Sequence, residues 1–405
     1  MIRTHKFLAM DAPRAWAQRS ISLRQSAASV LFSLGIALVA WSSFSGAGFA
    51  QAGSSPAVHR KAPLHTVAAH PAVSKPAETP VSGNRWAPVT ITEKNATSHA
   101  PFEAGDCSIC HQNSDPANPG PVKASGNDVC MSCHDDFKQI LARKYPHPPS
   151  QKNCLACHNP HNSNQPKLLL EDASTLCTSC HKSIHDSMQN SKVKHDALTD
   201  DRKCANCHNP HGANIEHLLV QLPMQLCLDC HGKDNVLDHN GKKLTNVKAL
   251  LAANPNHHGP IAGDDCSACH KTHGGDNFRL LTSAYPSVFY AEWDPKNYAL
   301  CFGCHDEKAF TSPETTELTQ FRDGSKNLHY IHTNKSEMGR TCRACHEVHA
   351  STQDHHIRES VPYGDKGWVL KINYTKTAPG GSCSRTCHAT KPYNNTTKGA
   401  APAKP

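Results

Sequence analysis

The pentapeptide Cys-x-x-Cys-His occurs nine times in this 405-residue chain, and a tenth copy has one extra residue between its cysteines. Together the ten copies use all 20 cysteines, so none remains for a disulfide, a separate zinc site or a thiol nucleophile. The motif cysteines are Cys107 and Cys110, Cys130 and Cys133, Cys154 and Cys157, Cys177 and Cys180, Cys204 and Cys207, Cys227 and Cys230, Cys266 and Cys269, Cys301 and Cys304, Cys342 and Cys345, and Cys383 and Cys387.

This motif is the attachment signature of c-type haem, whose two vinyl groups react with the two thiols. The adjacent histidine then serves as the proximal ligand of the iron. Zinc is the alternative, but a four-ligand zinc site gives no reason for a histidine after every second cysteine. We therefore predict ten covalently bound haem c groups, including one at the irregular copy. The predicted proximal ligands are His111, His134, His158, His181, His208, His231, His270, His305, His346 and His388.

The N-terminal region has the composition of a targeting segment followed by a tether. Residues 1–52 contain basic residues, the apolar run 30–40 and then small residues, a pattern typical of a secretory signal peptide. An uncleaved membrane anchor is less favoured, because a spanning helix needs roughly 20 apolar residues. Residues 53–98 are rich in Ala, Pro, Ser and Thr and predict a flexible tether, and 391–405 predict a flexible tail.

Hydrophobic residues make up 38% of the chain and aromatic residues 6%, which is little for one large apolar core. Ten porphyrins would supply the missing apolar surface. We predict a multihaem cytochrome c fold: mostly coil with short α-helices at the motifs, little or no β-sheet, and an elongated haem-packed core. Without haem the chain should be largely unfolded.

The motifs recur in pairs, which predicts five two-haem modules at 99–146, 147–194, 195–256, 257–331 and 332–390. A full module has one histidine shortly before its first motif and another three residues after the proximal histidine of that motif. Two extra histidines match the two distal ligands that two bis-histidine irons require. The predicted distal ligands are His99, His147, His161, His195, His211, His258, His273, His332 and His349.

The first module departs from this repeat, because Ser114 stands where the second distal histidine is expected. Three interpretations remain open for the tenth ligand. A spare histidine could replace it, the candidates being His185, His217, His239 and His355; a tether histidine (His59, His65 or His70) could fold back; or one iron could keep an open position.

On these paired motifs, and on the ending Gly380-Gly381-Ser382-Cys383 through Cys387-His388, the chain resembles the doubled-CXXCH multihaem cytochromes c, including those of metal-reducing bacteria. The resemblance covers residues 99–393. It implies closely stacked haems that pass electrons in or across the cell envelope. Ser114 is the departure from the pattern.

We therefore predict an electron carrier rather than an enzyme, with no catalytic residues. A multihaem reductase of a nitrogen or sulfur oxyanion is the alternative, and it would need one open iron. Donors would be an inner-membrane quinol dehydrogenase or periplasmic cytochromes, and an outer-membrane porin or self-assembly could provide further partners. The expected location is the periplasm, outer membrane or cell surface.

The formal net charge of +8 is weak support for nucleic-acid binding. Residues 1–52 contribute +4 of it, from five Lys or Arg and one Asp. Ten haems would add about −20 through their propionates, partly offset by about +1 at each ferric iron. The oxidised holoprotein would then be mildly acidic, and we predict no nucleic-acid partner.

Overall fold

The computed structural model describes residues 85–396, except 95, 239, 365–367 and 384–385. The predicted signal peptide, residues 53–84 of the tether and 397–405 of the tail lie outside the described residues. The chain divides into two units, Met1–Ala77 and Glu78–Pro405, and the second contains everything described below. Within the described residues, no helix has the length and apolar content needed to span a bilayer.

Short helices joined by coil form most of this unit, as the sequence predicts. The α-helices are α1 Ala100–Glu103, α2 Asp128–Met131, α3 Asp136–Leu141, α4 Pro148–Lys152, α5 Ala173–Thr178, α6 Lys182–Asn190, α7 Pro223–His231, α8 Val247–Ala253, α9 Gly259–Ala262, α10 Ala299–Phe302, α11 Lys308–Thr311 and α12 Leu328–Thr333. The 3₁₀ turns are Cys107–Ile109, Cys154–Ala156, Pro166–Leu168, Asp196–Leu198, Lys203–Asn206, Glu216–Leu218, Phe278–Leu280, Pro295–Tyr298, Cys342–Ala344 and Asp354–His356.

The regular haem-attachment motifs lie on helical turns, and this explains their spacing. In a helical turn, residues three and four apart share one face, so both thiols and the histidine point to the same side. The turn is closed in the first motif of the second module by a hydrogen bond from His158 N to Cys154 O, 3.1 Å long. Cys383 differs because it is the last residue of a strand, so the helical offset does not apply to the tenth motif.

The strands are short and form small antiparallel sheets. They are β1 Thr97–Ser98, β2 Tyr145–Pro146, β3 Asn162–Ser163, β4 Gly212–Ala213, β5 Asn256–His257, β6 Tyr290–Ala291, β7 Arg322–Asp323, β8 Lys326–Asn327, β9 Gly339–Arg340, β10 Ala350–Ser351, β11 Ser360–Tyr363, β12 Trp368–Lys371, β13 Tyr374–Thr377, β14 Gly380–Cys383 and β15 Lys391–Asn394. The four-residue strands all lie near the C-terminus, as the pair β11–β12 and the sheet β13–β14–β15.

Several of the two-residue strands join neighbouring modules. The strand before the leading histidine of one module pairs with the strand that follows the first motif of another. These pairs are β1 with β3, β2 with β4 and β5 with β10, and a single bridge joins Val193 to Gly275. Each of these pairs joins residues on opposite sides of a predicted module boundary, so backbone hydrogen bonds connect the predicted modules. The five-module division itself remains a sequence prediction.

Aromatic side chains form an apolar cluster in the C-terminal third. Trp293 stacks on Tyr298 with ring centroids 5.2 Å apart, and Phe302 lies 5.5 Å from Phe310. Tyr298 is fully buried and meets Tyr285 edge to face at 6.0 Å. Such contacts contribute beyond simple area burial. This segment therefore has a conventional core, whereas the earlier modules bury few apolar side chains.

We expect the protein without haem to lose structure unevenly. Residues 99–270, which depend on haem for apolar contact, should be cleaved by a low dose of protease well before the cluster at 285–310. Timed proteolysis with mass spectrometry of the fragments measures this order. Equal cleavage rates in both regions would contradict it, and the haem-loaded protein is the control.

Candidate haem-binding site

The proximal histidine of every first motif is oriented by a carbonyl nine residues later. The Nδ1–H groups of these rings donate to carbonyl oxygens over 2.7 to 3.0 Å, in the pairs His111–Gly120, His158–Lys167, His208–His217, His270–Arg279 and His346–His355. A carbonyl only accepts, so each bond fixes the proton on Nδ1 and leaves the Nε2 lone pair free for a metal.

A left-handed backbone turn supplies these carbonyls. Lys167, His217, Arg279 and His355 have φ of 57°, 58°, 54° and 54°, and Gly120 has 73°. A Leu-Leu pair recurs ten and eleven residues after the motif histidine, as Leu168-Leu169, Leu218-Leu219 and Leu280-Leu281. The reversed chain lets the second leucine form a bridge with that histidine, as between His158 and Leu169. This constant spacing is the sequence signal for the backbone role of the pair.

Each motif histidine ring faces one other histidine ring. The ring centroids are 6.1 to 6.5 Å apart, and the planes are inclined by 8° to 37°. With the motif histidine first, the pairs are His111–His161, His134–His99, His158–His211, His181–His147, His208–His273, His231–His195, His270–His349, His305–His258, His346–His329 and His388–His332.

This separation fits a haem iron between two imidazoles. Two metal–nitrogen bonds of about 2 Å, plus the distance of about 1 Å from each nitrogen to its ring centre, give about 6 Å. Several second rings are also held through Nδ1; His99 donates to Pro160 O over 2.9 Å and His195 to Thr272 O over 2.9 Å. In the described residues, no group of three or more His, Cys, Asp or Glu side chains could hold a metal ion by itself.

The pairs follow a rule that crosses the predicted module boundaries. The leading histidine faces the second motif of its own module, as His99 faces His134. The histidine three residues after a first motif instead faces the first motif of the preceding module, as His161 faces His111. The sequence suggested that two extra histidines complete one module. The structure instead makes each module depend on the next.

This rule accounts for both irregular ends of the repeat. Ser114 needs no substitute, because no earlier motif exists for a histidine there to face. The last module has no successor, and helix α12 provides both partners: His329 faces His346 and His332 faces His388. Sequence reasoning missed His329, although a second histidine one helical turn before His332 was a visible signal.

The histidines considered as substitutes for the tenth ligand do not fill that role in the described residues. His185 is exposed and contacts Asp186 at 3.4 Å, and His217 and His355 supply carbonyls to other rings. The fourth candidate, His239, and the tether histidines lie outside the described residues.

His329 lies in an apolar and aromatic setting. Phe310 and Phe321 are 4.9 and 5.1 Å from its ring, and its Nδ1 is 3.1 Å from the hydroxyl of Thr319. Burial lowers the pKa of His329 to about 3. The ring is therefore neutral at physiological pH, which is the form that binds iron.

Asn327 anchors the start of helix α12. Its side chain accepts hydrogen bonds from His329 N and Tyr330 N, donates to Ala309 O and Ser312 O, and has 0% exposure. Asparagine is a strong N-cap because its side-chain oxygen satisfies free N–H groups of the first turn.

We expect Asn327→Ala to destabilise the C-terminal region by about 2 kcal/mol, because it removes the cap and leaves two buried carbonyls without a donor. Thermal unfolding followed by near-UV circular dichroism measures the loss. Asn246→Ala is the matched control, since Asn246 caps α8 through one bond to Ala249 N and is only partly buried. Equal effects of the two substitutions would contradict the assigned role.

The motif thiols also lie close together, in chain order. The first cysteine of a second motif lies beside the first cysteine of the next module, close enough for each thiol to shift the pKa of the other, in the pairs Cys130–Cys154, Cys177–Cys204, Cys227–Cys266 and Cys301–Cys342. Within modules, the pKa of Cys157 is raised mainly by burial and also by the nearby thiol of Cys180. The pKa of Cys207 is raised by burial and by Cys230 in the same way. All 20 cysteines are free of disulfides.

Comparisons with known proteins agree with this chemistry. The sequence model of the family described as "Doubled CXXCH motif" matches four stretches, 99–139, 147–186, 195–236 and 258–310. The chain is also 31% identical over 98 residues to the multihaem cytochrome MtrA of Shewanella baltica (strain OS185), covering 21% of this chain and 29% of that protein. The match thus spans less than a third of the relative's length.

The chain is a c-type cytochrome that binds several haems through paired CXXCH motifs. More particularly, four stretches match the doubled-CXXCH family and the chain is similar to the multihaem cytochrome MtrA, which confirms the resemblance predicted from the sequence.

Proposed function

We propose that this protein is a ten-haem cytochrome that carries electrons along a row of bis-histidine haems in or across the cell envelope. Each bound haem would supply one reversible one-electron site. The observation that carries the proposal is the set of ten imidazole pairs, each made of one motif histidine and one other histidine. All 20 cysteines and 20 of the 30 histidines of the chain would serve the ten haems.

The residues around the imidazoles support a low-potential carrier. Two neutral histidines give a lower potential than a His–Met pair. Nδ1–H bonds to carbonyls, as from His111 to Gly120 O at 2.7 Å, make the imidazole a stronger donor to the metal. These bonds also hold the rings still, so little reorganisation would accompany a change of oxidation state.

The thiol contacts support a continuous row in chain order. A haem attached at Cys130 and one attached at Cys154 would be neighbours, because these two thiols lie side by side and shift each other's pKa. The same contact recurs three more times along the chain. Alternating within-module and between-module contacts would therefore connect the first site to the tenth.

An oxyanion reductase is not favoured by the same geometry. It requires one iron with an open position, and each motif histidine, His388 included, has an imidazole partner. The relationship to MtrA also supports a carrier. Partners and location remain proposals: an inner-membrane quinol dehydrogenase or periplasmic cytochrome as donor, and a porin or further copies of the chain in the envelope.

Two measurements on the purified holoprotein test the function. Mass spectrometry and the pyridine haemochrome assay should give ten haems, and low-temperature EPR should give only low-spin ferric signals. Turnover assays with nitrite, hydroxylamine and tetrathionate should be negative, while dithionite-reduced protein should pass electrons to a soluble acceptor. Robust turnover together with a high-spin signal would overturn the proposal. Protease accessibility on intact cells tests the location.

A further inference from the structure

A small group of charged side chains lies beside the last modules. Arg358 Nη2 forms an ion pair with Glu347 Oε2 at 2.8 Å, and Arg358 Nε donates to His346 O over 2.9 Å. Glu347 Oε1 is also 3.5 Å from His349 Nδ1. Arg343 lies inside the ninth motif, between Cys342 and Cys345. The group therefore touches residues of both the seventh site, which includes His349, and the ninth, which includes His346.

Positive charge exceeds negative charge in this group. The side chains of Arg358 and Glu347 are only 11% and 19% exposed. Burial lowers the pKa of Arg358, and the positive charge of Arg343 lowers it further, whereas the carboxylate of Glu347 raises it. Arg279 adds a third positive charge to the group: its pKa is lowered by burial and also by the charges of Arg343 and Arg358. A guanidinium does not deprotonate in proteins, so a sheltered surplus of such groups is stable only beside further anions.

One donor of the group has no acceptor. Arg343 Nε is shut off from solvent and has no hydrogen-bond partner in the described residues. The residue is nevertheless fixed, because Arg343 N donates to the Tyr285 hydroxyl over 2.8 Å. A buried N–H without an acceptor costs about 1 to 3 kcal/mol. The missing acceptor is therefore expected to come from a group that the polypeptide does not supply.

We propose that Arg343 and Arg358 bind a haem propionate carboxylate, with Arg343 Nε as the donor. Guanidinium groups match carboxylates in shape and charge. The inference rests on the proposed function, since the carboxylate belongs to a bound haem. It has two candidate sources, the haem between His270 and His349 and the haem between His346 and His329. A positive charge beside a propionate favours the reduced iron, so Arg343 raises the potential of one haem.

Spectroelectrochemical titration of the holoprotein tests this. Arg343→Gln should move the transition of one haem in ten to lower potential, and Arg343→Lys, which keeps the charge, should restore most of the shift. Arg202→Gln is the matched control, because Arg202 lies two residues before another first motif, at Cys204, but is exposed. Superimposable curves for Arg343→Gln and the unaltered protein, or an equal shift for Arg202→Gln, would overturn the inference.

Two tagged backgrounds distinguish the source of the carboxylate. His349→Met and His329→Met give the seventh or the ninth haem a His–Met spectrum that can be followed by itself. Adding Arg343→Gln should shift the tagged haem in one background only. Haem content and spin state are measured in parallel. A fully loaded, low-spin protein whose potentials do not respond would refute this inference alone, whereas missing haem would refute the proposed function.

Discussion

His329→Ala should convert one of the ten ferric irons from low spin to high spin. The substitution removes the imidazole that faces His346, and no other histidine ring lies opposite that motif histidine in the described residues. A five-coordinate iron results, because neither Phe310 nor Phe321, which surround the vacated position, carries a ligand atom. Low-temperature EPR should show a high-spin signal near one tenth of the total iron, and added imidazole should abolish it.

Two controls separate this effect from a general loss of structure. His185→Ala removes an exposed histidine that faces no motif ring and should leave every iron low-spin. Ser114→His restores the repeat at the first module and should also change nothing, because His111 already faces His161. If His329→Ala stays entirely low-spin, or His185→Ala produces the signal, the assignment of the tenth ligand is wrong.

Removing one end of the chain should have a different effect from removing the other. Deletion of 99–146 takes away the first two motifs and leaves the remaining eight motif histidines with their partners. Truncation after Thr311 also leaves eight motifs, but it removes His349, which faces His270. We therefore expect eight low-spin irons after the first deletion, and seven low-spin and one high-spin after the second.

This asymmetry distinguishes the two ways of assigning the ligands. If each module supplied its own distal histidines, His258 and His273 would complete the fourth module, and the iron without a second imidazole would lie in the first module, where Ser114 replaces a histidine. That high-spin iron would already be present in the full-length protein, whereas the crossed arrangement predicts it only after the truncation, so the full-length protein is measured alongside. EPR and haem counts on both shortened proteins provide the comparison. The first deletion removes the β2–β4 pair and the truncation removes the β5–β10 and β6–β9 pairs, so both shortened proteins lose strand pairing between modules. A high-spin signal in the first protein and none in the second would contradict the crossed arrangement.

The ligand types were accessible from the sequence because haem attachment is a local event. Two thiols and a histidine within five residues are brought together by a single helical turn, whatever the rest of the chain does. Nine of the ten second rings were also predicted, since His161, His211, His273 and His349 recur at one fixed offset. The expectation of coil and short helices was also correct, because the chain has few apolar residues with which to bury long elements.

His329 could not be assigned from a recurring offset, because it faces a motif histidine whose partner would otherwise come from a following module. The last module lacks a successor, and a helix bearing two histidines one turn apart replaces the missing partner. The strand that ends at Cys383 was likewise not predicted, because the neighbouring strands β13 and β15 have no sequence pattern that indicates pairing with it. The aromatic cluster around Tyr298 also became visible only when distant residues were brought together.

By itself, the sequence determined the covalent attachment of haem and the repeat of paired motifs, and it predicted histidine ligation. Only the tertiary structure decided which histidine faces which motif, since that depends on backbone pairing between segments about 60 to 95 residues apart, such as Ser98 with Asn162 and Asn256 with Ser351. Covalent spacing fixes what lies within one turn. Contacts between distant segments are fixed by packing, and here packing places the histidine that follows one first motif opposite the first motif of the preceding module.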